Sequence, residues 1–321
     1  MDENLRRQVE QRTVNTLRER RIKNSLPKPR SVNDVALERI AEKDLELIAP
    51  KTGYPDLDNI IRGFIPGHLY TLTGNENVGK TSLACNFAVR IAKQGKKVLY
   101  FALEPENTVV DYIASVRLDK RFDEITTDDL QVDDGNIHIY GKEEVRTLPE
   151  LVKIVDLSDR YDLVIIDHIG YFVSGTQNLV QEQSNAIKQL AGLAKRKKCA
   201  IMMIAHLRKR PQGTKKSYTP TSDDISGSGA FKQDSTEVMI VVRELQDEQA
   251  DGLIYSNQGK LHVTKTKAGP NGFINIQFSE QKANINSLGE LLEKRNERLT
   301  YGSEKLEKVN VEKFEDMDEK W

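Results

Sequence analysis

The stretch Leu69-Tyr70-Thr71-Leu72-Thr73-Gly74-Asn75-Glu76-Asn77-Val78-Gly79-Lys80-Thr81-Ser82 decides the fold. Its first five residues are apolar or β-branched and read as a strand, and from Thr81 to Ala92 the spacing becomes that of a helix. Between them, Gly74 to Thr81 fits G-x-x-x-x-G-K-[ST] at every fixed position. Phosphate chemistry explains this pattern. The glycines let successive backbone N–H groups curl around a phosphate, and the helix N-terminus adds its positive dipole end. Lys80 is expected to reach the β- and γ-phosphate oxygens and Thr81 to offer its hydroxyl to Mg²⁺. Gly74 through Ser82 is therefore the expected cradle for ATP or another nucleoside triphosphate. A chance glycine-rich turn would lack the strand before it and the helix after it.

Working outward, apolar runs recur at Leu69–Thr73, Lys97–Leu103, Asn136–Tyr140, Asp162–Asp167 and Ala200–Ala205. They alternate with helical stretches, as a parallel sheet with crossover helices requires. Three further runs, Glu237–Val242, Lys260–Thr266 and Phe273–Phe278, follow one another through short turns and suggest an antiparallel edge. The expected class is α/β, with a mostly parallel central sheet flanked by helices and an antiparallel C-terminal edge.

Carboxylates stand where such a sheet would use them. Asp162-Leu-Val-Ile-Ile-Asp167 is an apolar strand ending in an acid, the form of a segment that holds the Mg²⁺ shell. Lys97–Leu103 ends in Glu104, a group that can polarise an attacking water. His206 follows the buried strand Ala200–Ala205 at the edge where α/β sheets bind ligands, and suits a γ-phosphate sensor. Next comes Arg208-Lys209-Arg210-Pro-Gln-Gly-Thr-Lys215-Lys216, with five basic residues and no acid. Its plain reading is a solvated loop, and its functional reading is a grip on a nucleic-acid backbone, coupled to nucleotide state through His206.

Composition narrows the classes. The chain has 321 residues and a net charge of −1, so any nucleic-acid binding must come from local patches. The longest apolar run, Cys199–Ala205, is far too short to span a bilayer, and no signal peptide or transit peptide is expected. Cys85 and Cys199 lack metal-ligand spacing and read as reduced core thiols. Residues 1–30 carry nine basic side chains against four acids. Ser31 with Asp34 reads as a capping box opening a helix from Val32 to Ile48, whose Val35, Ile40, Leu47 and Ile48 want a partner surface. Residues 288–321 are charged and read as a helix fraying into a tail. The expected organisation is a basic segment and linker helix over 1–50, the nucleotide-binding domain over 51–287, and the charged C-terminal segment over 288–321.

In this order the pieces resemble the RecA-like motor of DnaB-type hexameric replicative DNA helicases, including the phage and Twinkle-like branches. The resemblance covers about Gly53 to Phe278. It rests most on Asp223-Asp-Ile-Ser-Gly-Ser-Gly229-Ala-Phe-Lys-Gln233-Asp234 and on Lys265-Thr-Lys267-Ala-Gly-Pro270-Asn-Gly272. It implies Glu104 as the catalytic carboxylate, Asp167 as the metal-holding acid and His206 as the γ-phosphate sensor. It implies Lys265 and Lys267 acting on a neighbouring subunit's nucleotide, and their spacing of two along one strand points both to one face. Arg208, Lys209, Arg210, Lys215 and Lys216 would face a central channel and hold single-stranded DNA. Lys267 stands where the family usually has Arg, which replaces a planar fork by a point charge. The implied partners are further copies in a homohexamer and a separate primase or loader, in the cytoplasm of a bacterial or phage-infected cell. A strand-exchange recombinase of the RecA/RadA type, or a regulatory ATPase of the clock-protein type, would share the fold and the phosphate loop.

Overall fold

The computed structural model describes residues 31–33, 36, 45–130, 135–173, 179–207, 220–221, 224–225, 228–249 and 252–292. The chain divides into two compact units, Met1–Leu47 and Ile48–Trp321. Of the expected helix Val32–Ile48, residues 32–33, 36 and 45–48 are described and helical. Val35 and Ile40 lie outside the described residues, as do 1–30 and 293–321.

The second unit holds a nine-stranded sheet. In chain order the elements are α1 (Pro55–Ile61), β1 (Leu69–Gly74), α2 (Lys80–Ala92), β2 (Val98–Ala102), α3 (Glu106–Leu118), α4 (Thr127–Leu130), β3 (Ile137–Gly141), α5 (Leu148–Leu157), β4 (Leu163–Asp167), α6 (Leu179–Lys197), β5 (Ala200–His206), α7 (Ser228–Asp234), β6 (Glu237–Gln249), β7 (Gly252–Lys265), β8 (Gly272–Phe278) and β9 (Ile285–Ser287). The spatial order is β3-β2-β4-β5-β1-β6-β7-β8-β9. Strands β3 through β6 run parallel, and β7, β8 and β9 continue antiparallel.

The apolar runs become central strands because helices cover both faces. Every residue of β1, β2 and β4 is buried, which is why their sequences do not alternate. One core layer packs Tyr54, Phe64, Phe87 and Ile91 against Tyr70, Leu72 and Tyr100. There Phe87 meets Tyr54 and Phe64 edge to face at 5.7 and 5.2 Å. The other layer sets Leu148, Leu151, Ile187 and Leu190 against Leu99, Phe101, Val164 and Ile201.

Three details depart from the expectation, and a fourth adds to it. The antiparallel edge begins one strand later, because β6 pairs parallel with β1 before turning into β7. Strands β6 and β7 are also longer than Glu237–Val242 and Lys260–Thr266, reaching 13 and 14 residues. Their outer halves are mostly polar in sequence and pair with each other, so no apolar run marks them. Lys265 closes β7 and Lys267 lies in the following bend, so the two lysines do not share a strand face as their spacing suggested. Finally, residues 288–292 are helical and are tied to the motor: Gly289 N–H donates to Asp56 at 3.2 Å, and Glu290 meets Arg90 at 2.9 Å.

Candidate nucleotide site

The sheet lines up the expected chemistry without using sequence proximity. Along its C-terminal edge the neighbours are β2, β4, β5 and β1. Their ends deliver Glu104, Asp167, His206 and Gly74 side by side, where open α/β sheets bind ligands. Leu103 N–H donates to the Asp167 carbonyl at 2.8 Å, which sets Glu104 next to the end of β4.

The phosphate loop has the backbone its glycines allow. Gly79 caps α2 at φ +98, and a Cβ there would meet the Phe278 ring at 2.5 Å. A side chain is thus excluded both by conformation and by space. Lys80 is 7% exposed and folds back over the loop, donating to the carbonyls of Asn75 (2.7 Å) and Gly74 (3.2 Å). Burial lowers its pKa, against the opposing charges of Asp167, Glu104 and Glu76.

Asp167 is 1% exposed, and burial raises its pKa. Tyr100 OH donates to its Oδ2 at 2.8 Å, whereas the buried Oδ1 has no protein partner among the described residues. A buried carboxylate oxygen left open costs about 1–3 kcal/mol unless something occupies it. An open Oδ1 beside the Thr81 hydroxyl fits a hydrated Mg²⁺, which takes oxygen donors.

Glu104 is half exposed and accepts from His168 Nε2 at 3.1 Å. That hydrogen bond is the main cause holding its carboxyl below the usual range. His206 Nε2 lies 4.0 Å from the same carboxylate oxygen. Its ring meets that of His168 at 4.3 Å, 77° between planes, and burial followed by the charge of His168 lowers its pKa.

A second set of residues supports the loop from the antiparallel side. Arg243 donates to the Val78 carbonyl at 3.4 Å and to the Ser256 carbonyl at 2.6 Å, with its guanidinium 4.0 Å over the Phe278 ring. Tyr255 OH donates to the Glu76 carbonyl at 3.1 Å. Ser82 Oγ and Asn86 Nδ2 both donate to the Ala283 carbonyl, at 3.0 and 2.7 Å.

Among the expected site residues, Gly74 through Ser82, Glu104, Asp167 and His206 thus converge. Lys265 does not join them. Its Nζ donates to the Ser235 and Gln233 carbonyls at 2.6 and 3.5 Å, at the C-terminal end of α7. That is the opposite edge of the parallel strands. Lys267 is exposed nearby. Arg208, Lys209, Arg210, Lys215 and Lys216 lie outside the described residues, but the loop's base is described: Leu207 pairs with Ile225, directly after His206. Tyr100, His168, Arg243, Tyr255 and Phe278 went unnoticed in sequence. Only His168, a polar residue following the strand-ending Asp167, carried a local signal.

A phosphate loop between β1 and α2, with a buried acid and a glutamate on neighbouring parallel strands, defines a RecA-like P-loop NTPase domain. The family described as DnaB-like helicase C terminal domain matches residues 50–287. The replicative DNA helicase DnaB of Leifsonia xyli subsp. xyli is 24% identical over 261 residues, covering 75% of this chain and 56% of the relative. That of Mycoplasma genitalium is 25% identical over 272 residues, covering 76% and 58%. The chain therefore spans little more than half the length of these relatives. Among solved structures, one described as an ATPase domain aligns with a TM-score of 0.62 at 17% identity, covering 81% of this chain and all of that one. A DnaB-like replicative helicase, described with its interactions with primase, aligns at 0.64 and 16% identity, covering 86% of this chain and 71% of that one. The chain belongs to the DnaB-like helicase C-terminal domain family.

Proposed function

We propose that this chain is the motor of a ring-shaped replicative DNA helicase, coupling nucleoside triphosphate hydrolysis to movement along single-stranded DNA and duplex unwinding. One observation carries the proposal. The strand that ends in His206, within 4.0 Å of Glu104, leads directly into the basic loop, so nucleotide chemistry and a polyanion-binding segment share one strand. Family membership supports this reading, and the comparisons give the recombinase and clock-protein alternatives no support.

In this mechanism the N–H groups of Gly74 to Ser82 take the phosphates of ATP or another nucleoside triphosphate. Lys80 leaves the loop carbonyls for the β- and γ-phosphate oxygens. Glu104, kept ionised by His168, accepts the proton of the attacking water. Thr81 and Asp167 would hold Mg²⁺, which would supply positive charge against the phosphates when bound. His206 contacts the γ-phosphate and passes its presence to Arg208, Lys209, Arg210, Lys215 and Lys216, which grip DNA.

Lys265 and Lys267 stand at the edge opposite their own phosphate loop, about 20 Å away by the length of β1. Such a placement cannot serve the same subunit and suits a neighbour's γ-phosphate in a homohexamer. Leu47 and Ile48, 82% and 54% exposed, supply apolar surface for packing on that neighbour. A separate primase or loader completes the set of partners, in the cytoplasm of a bacterial or phage-infected cell. No helix among the described residues is long and apolar enough to cross a membrane.

The test is hydrolysis with and without single-stranded DNA, followed by unwinding of a forked duplex. DNA should stimulate hydrolysis, and the unwinding should require it. Replacing Lys209, Arg210, Lys215 and Lys216 by Ala should flatten the salt dependence of DNA binding and abolish the stimulation while basal hydrolysis persists. An unchanged salt slope would remove the loop from the DNA contact.

A further inference from the structure

We propose that Glu104, His168 and His206 form a binding site for a zinc-class divalent cation, distinct from the Mg²⁺ position, and that filling it withholds Glu104 from hydrolysis. The second half rests on the catalytic reading of Glu104 given above, whereas the site itself does not.

The geometry comes first. One ligand atom from each of the three residues lies within 4.8 Å of the other two. His168 Nε2 and His206 Nε2 stand 3.1 and 4.0 Å from the same Glu104 oxygen. Zn²⁺ takes imidazole nitrogen and carboxylate oxygen at about 2.0–2.2 Å in a tetrahedron, which separates two ligands by about 3.4 Å. Small side-chain rotations therefore bring the three donors onto one ion. Glu104, 47% exposed, has the freedom to make them. The two imidazole planes are 77° apart, so the rings converge edge to face and do not stack over each other's nitrogens.

The scaffold is rigid. Glu104 follows β2, His168 follows β4 and His206 ends β5, three adjacent strands buried almost throughout. Metal sites need such support, because ligands that must be ordered on binding lose affinity to that cost. The donor set also selects the ion. Two imidazoles and a carboxylate suit Zn²⁺ and its neighbours in the transition series, while Mg²⁺ prefers oxygen donors. Two histidines with one glutamate, and a fourth position open, is also a donor set that zinc uses in catalytic sites.

In the metal-free protein His168 Nε2 carries the proton that it donates to Glu104. Binding an ion moves that proton to Nδ1 and frees the Nε2 lone pair. Nδ1 of both His168 and His206 is buried and without a partner among the described residues, so this step opposes binding and the three converging donors must outweigh it. The side chains are 19% and 39% exposed, which leaves an entry path and room for a water in the fourth position. Nearby Lys80 opposes a second cation, and the buried carboxylate of Asp167 offsets that charge.

The consequence follows from electron pairs. A Glu104 oxygen that donates its lone pair to a metal cannot also accept a proton from water. His206, bound to the same ion, is held away from the γ-phosphate. Zinc would act as a brake set within the active edge, with Mg²⁺ still able to reach Thr81 and Asp167.

The whole chain, free of nucleotide, should be titrated with Co²⁺ and followed by visible absorption. We expect one Co²⁺ per chain with a tetrahedral spectrum that Zn²⁺ abolishes. His168→Ala and His206→Gln should each weaken Co²⁺ binding by at least about tenfold, because losing a direct ligand costs no less than losing an outer-shell partner, which costs about 10–100-fold. In Mg²⁺-dependent hydrolysis, Zn²⁺ should inhibit the native protein. For His168→Ala, normalised to its own zinc-free rate, half-inhibition should need at least about tenfold more Zn²⁺. Should His168→Ala melt early, His168→Gln with a native melting temperature replaces it. Equal Co²⁺ affinity in the native protein and the variants, or equal zinc sensitivity of His168→Ala, would overturn the proposal. If the native protein hydrolyses no nucleotide, the functional reading fails while the Co²⁺ titration still decides the site.

Discussion

On one side of the phosphate loop, the tips of β2, β4 and β5 bring Glu104, Asp167 and His206 together at one edge of the sheet. On the other side, β6, β7 and β8 bring Arg243, Tyr255 and Phe278 against the outside of the same loop. The first side is chemically open: Asp167 Oδ1, His168 Nδ1 and His206 Nδ1 lack protein partners among the described residues. The second side is closed, with Arg243 donating to carbonyls of both the loop and β7 and its guanidinium over Phe278. The contrast shows a division within the fold. Parallel strands place reactive groups at their ends, and the antiparallel hairpin places bulk and donors along its face.

The comparison breaks most visibly in paired substitutions. Glu104→Gln should lower turnover by about 10²–10⁴-fold, the range for loss of a general base, with the melting temperature nearly unchanged because the side chain is half exposed. Arg243→Leu should do the reverse. It removes hydrogen bonds from a charged donor, each worth about 1.5–3 kcal/mol, and the stacking on Phe278, worth about 0.5–2 kcal/mol. Steady-state kinetics and thermal melting on both variants test this: Arg243→Leu should melt earlier and bind nucleotide less tightly. If Arg243→Leu keeps the native melting temperature and nucleotide affinity, the hairpin is not a support.

Gly79→Ala probes where the two sides touch. The φ of +98 costs an alanine about 1–2 kcal/mol, and its Cβ would overlap Phe278. Nucleotide binding, measured by calorimetry, should be lost or severely weakened. Adding Phe278→Leu should relieve the overlap but not the backbone strain, so full recovery in the double variant would place the whole effect in Phe278. A smaller effect is expected from Tyr255→Phe, which deletes one hydrogen bond to Glu76. Chemical denaturation should show a loss of about 1 kcal/mol with turnover retained.

The smallest effect serves as a control remote from both sides. Asp129 is held at a pKa of about 2 by Lys120 and by the amide and hydroxyl of Thr126. A carboxylate whose folded pKa is depressed adds stability above its unfolded pKa and loses it as pH falls through the folded value. Asp129→Asn should therefore lower stability slightly at neutral pH and make no difference below about pH 2. A difference between the two proteins that persists at that acidity would exclude this linkage.

Much of the open side was legible because its rules are local. G-x-x-x-x-G-K-T needs no partner from elsewhere, and a buried parallel strand announces itself as an apolar run ending in Glu104, Asp167 or His206. Strand boundaries followed to within a residue or so, because burial on both faces leaves no polar position to blur them. The closed side was not legible. Arg243 reaches Val78 across 165 residues and Tyr255 reaches Glu76 across 179. A strand arginine or tyrosine has many uses, and nothing local selects this one. The same holds for Lys265, whose spacing from Lys267 suggested a shared face. The strand ends at Lys265, and its ammonium turns to the carbonyls of Ser235 and Gln233.

By itself, the sequence determined the class of fold, the glycine-rich loop between strand and helix and the three groups at the tips of β2, β4 and β5, since each depends on one strand, one turn or one helix start. Only the tertiary structure decided that those tips stand side by side, that Tyr100 and His168 bond Asp167 and Glu104, and that Phe278 fills the space a side chain at Gly79 would need. Those facts depend on strand order and on packing between distant segments, and no local spacing in the chain encodes either.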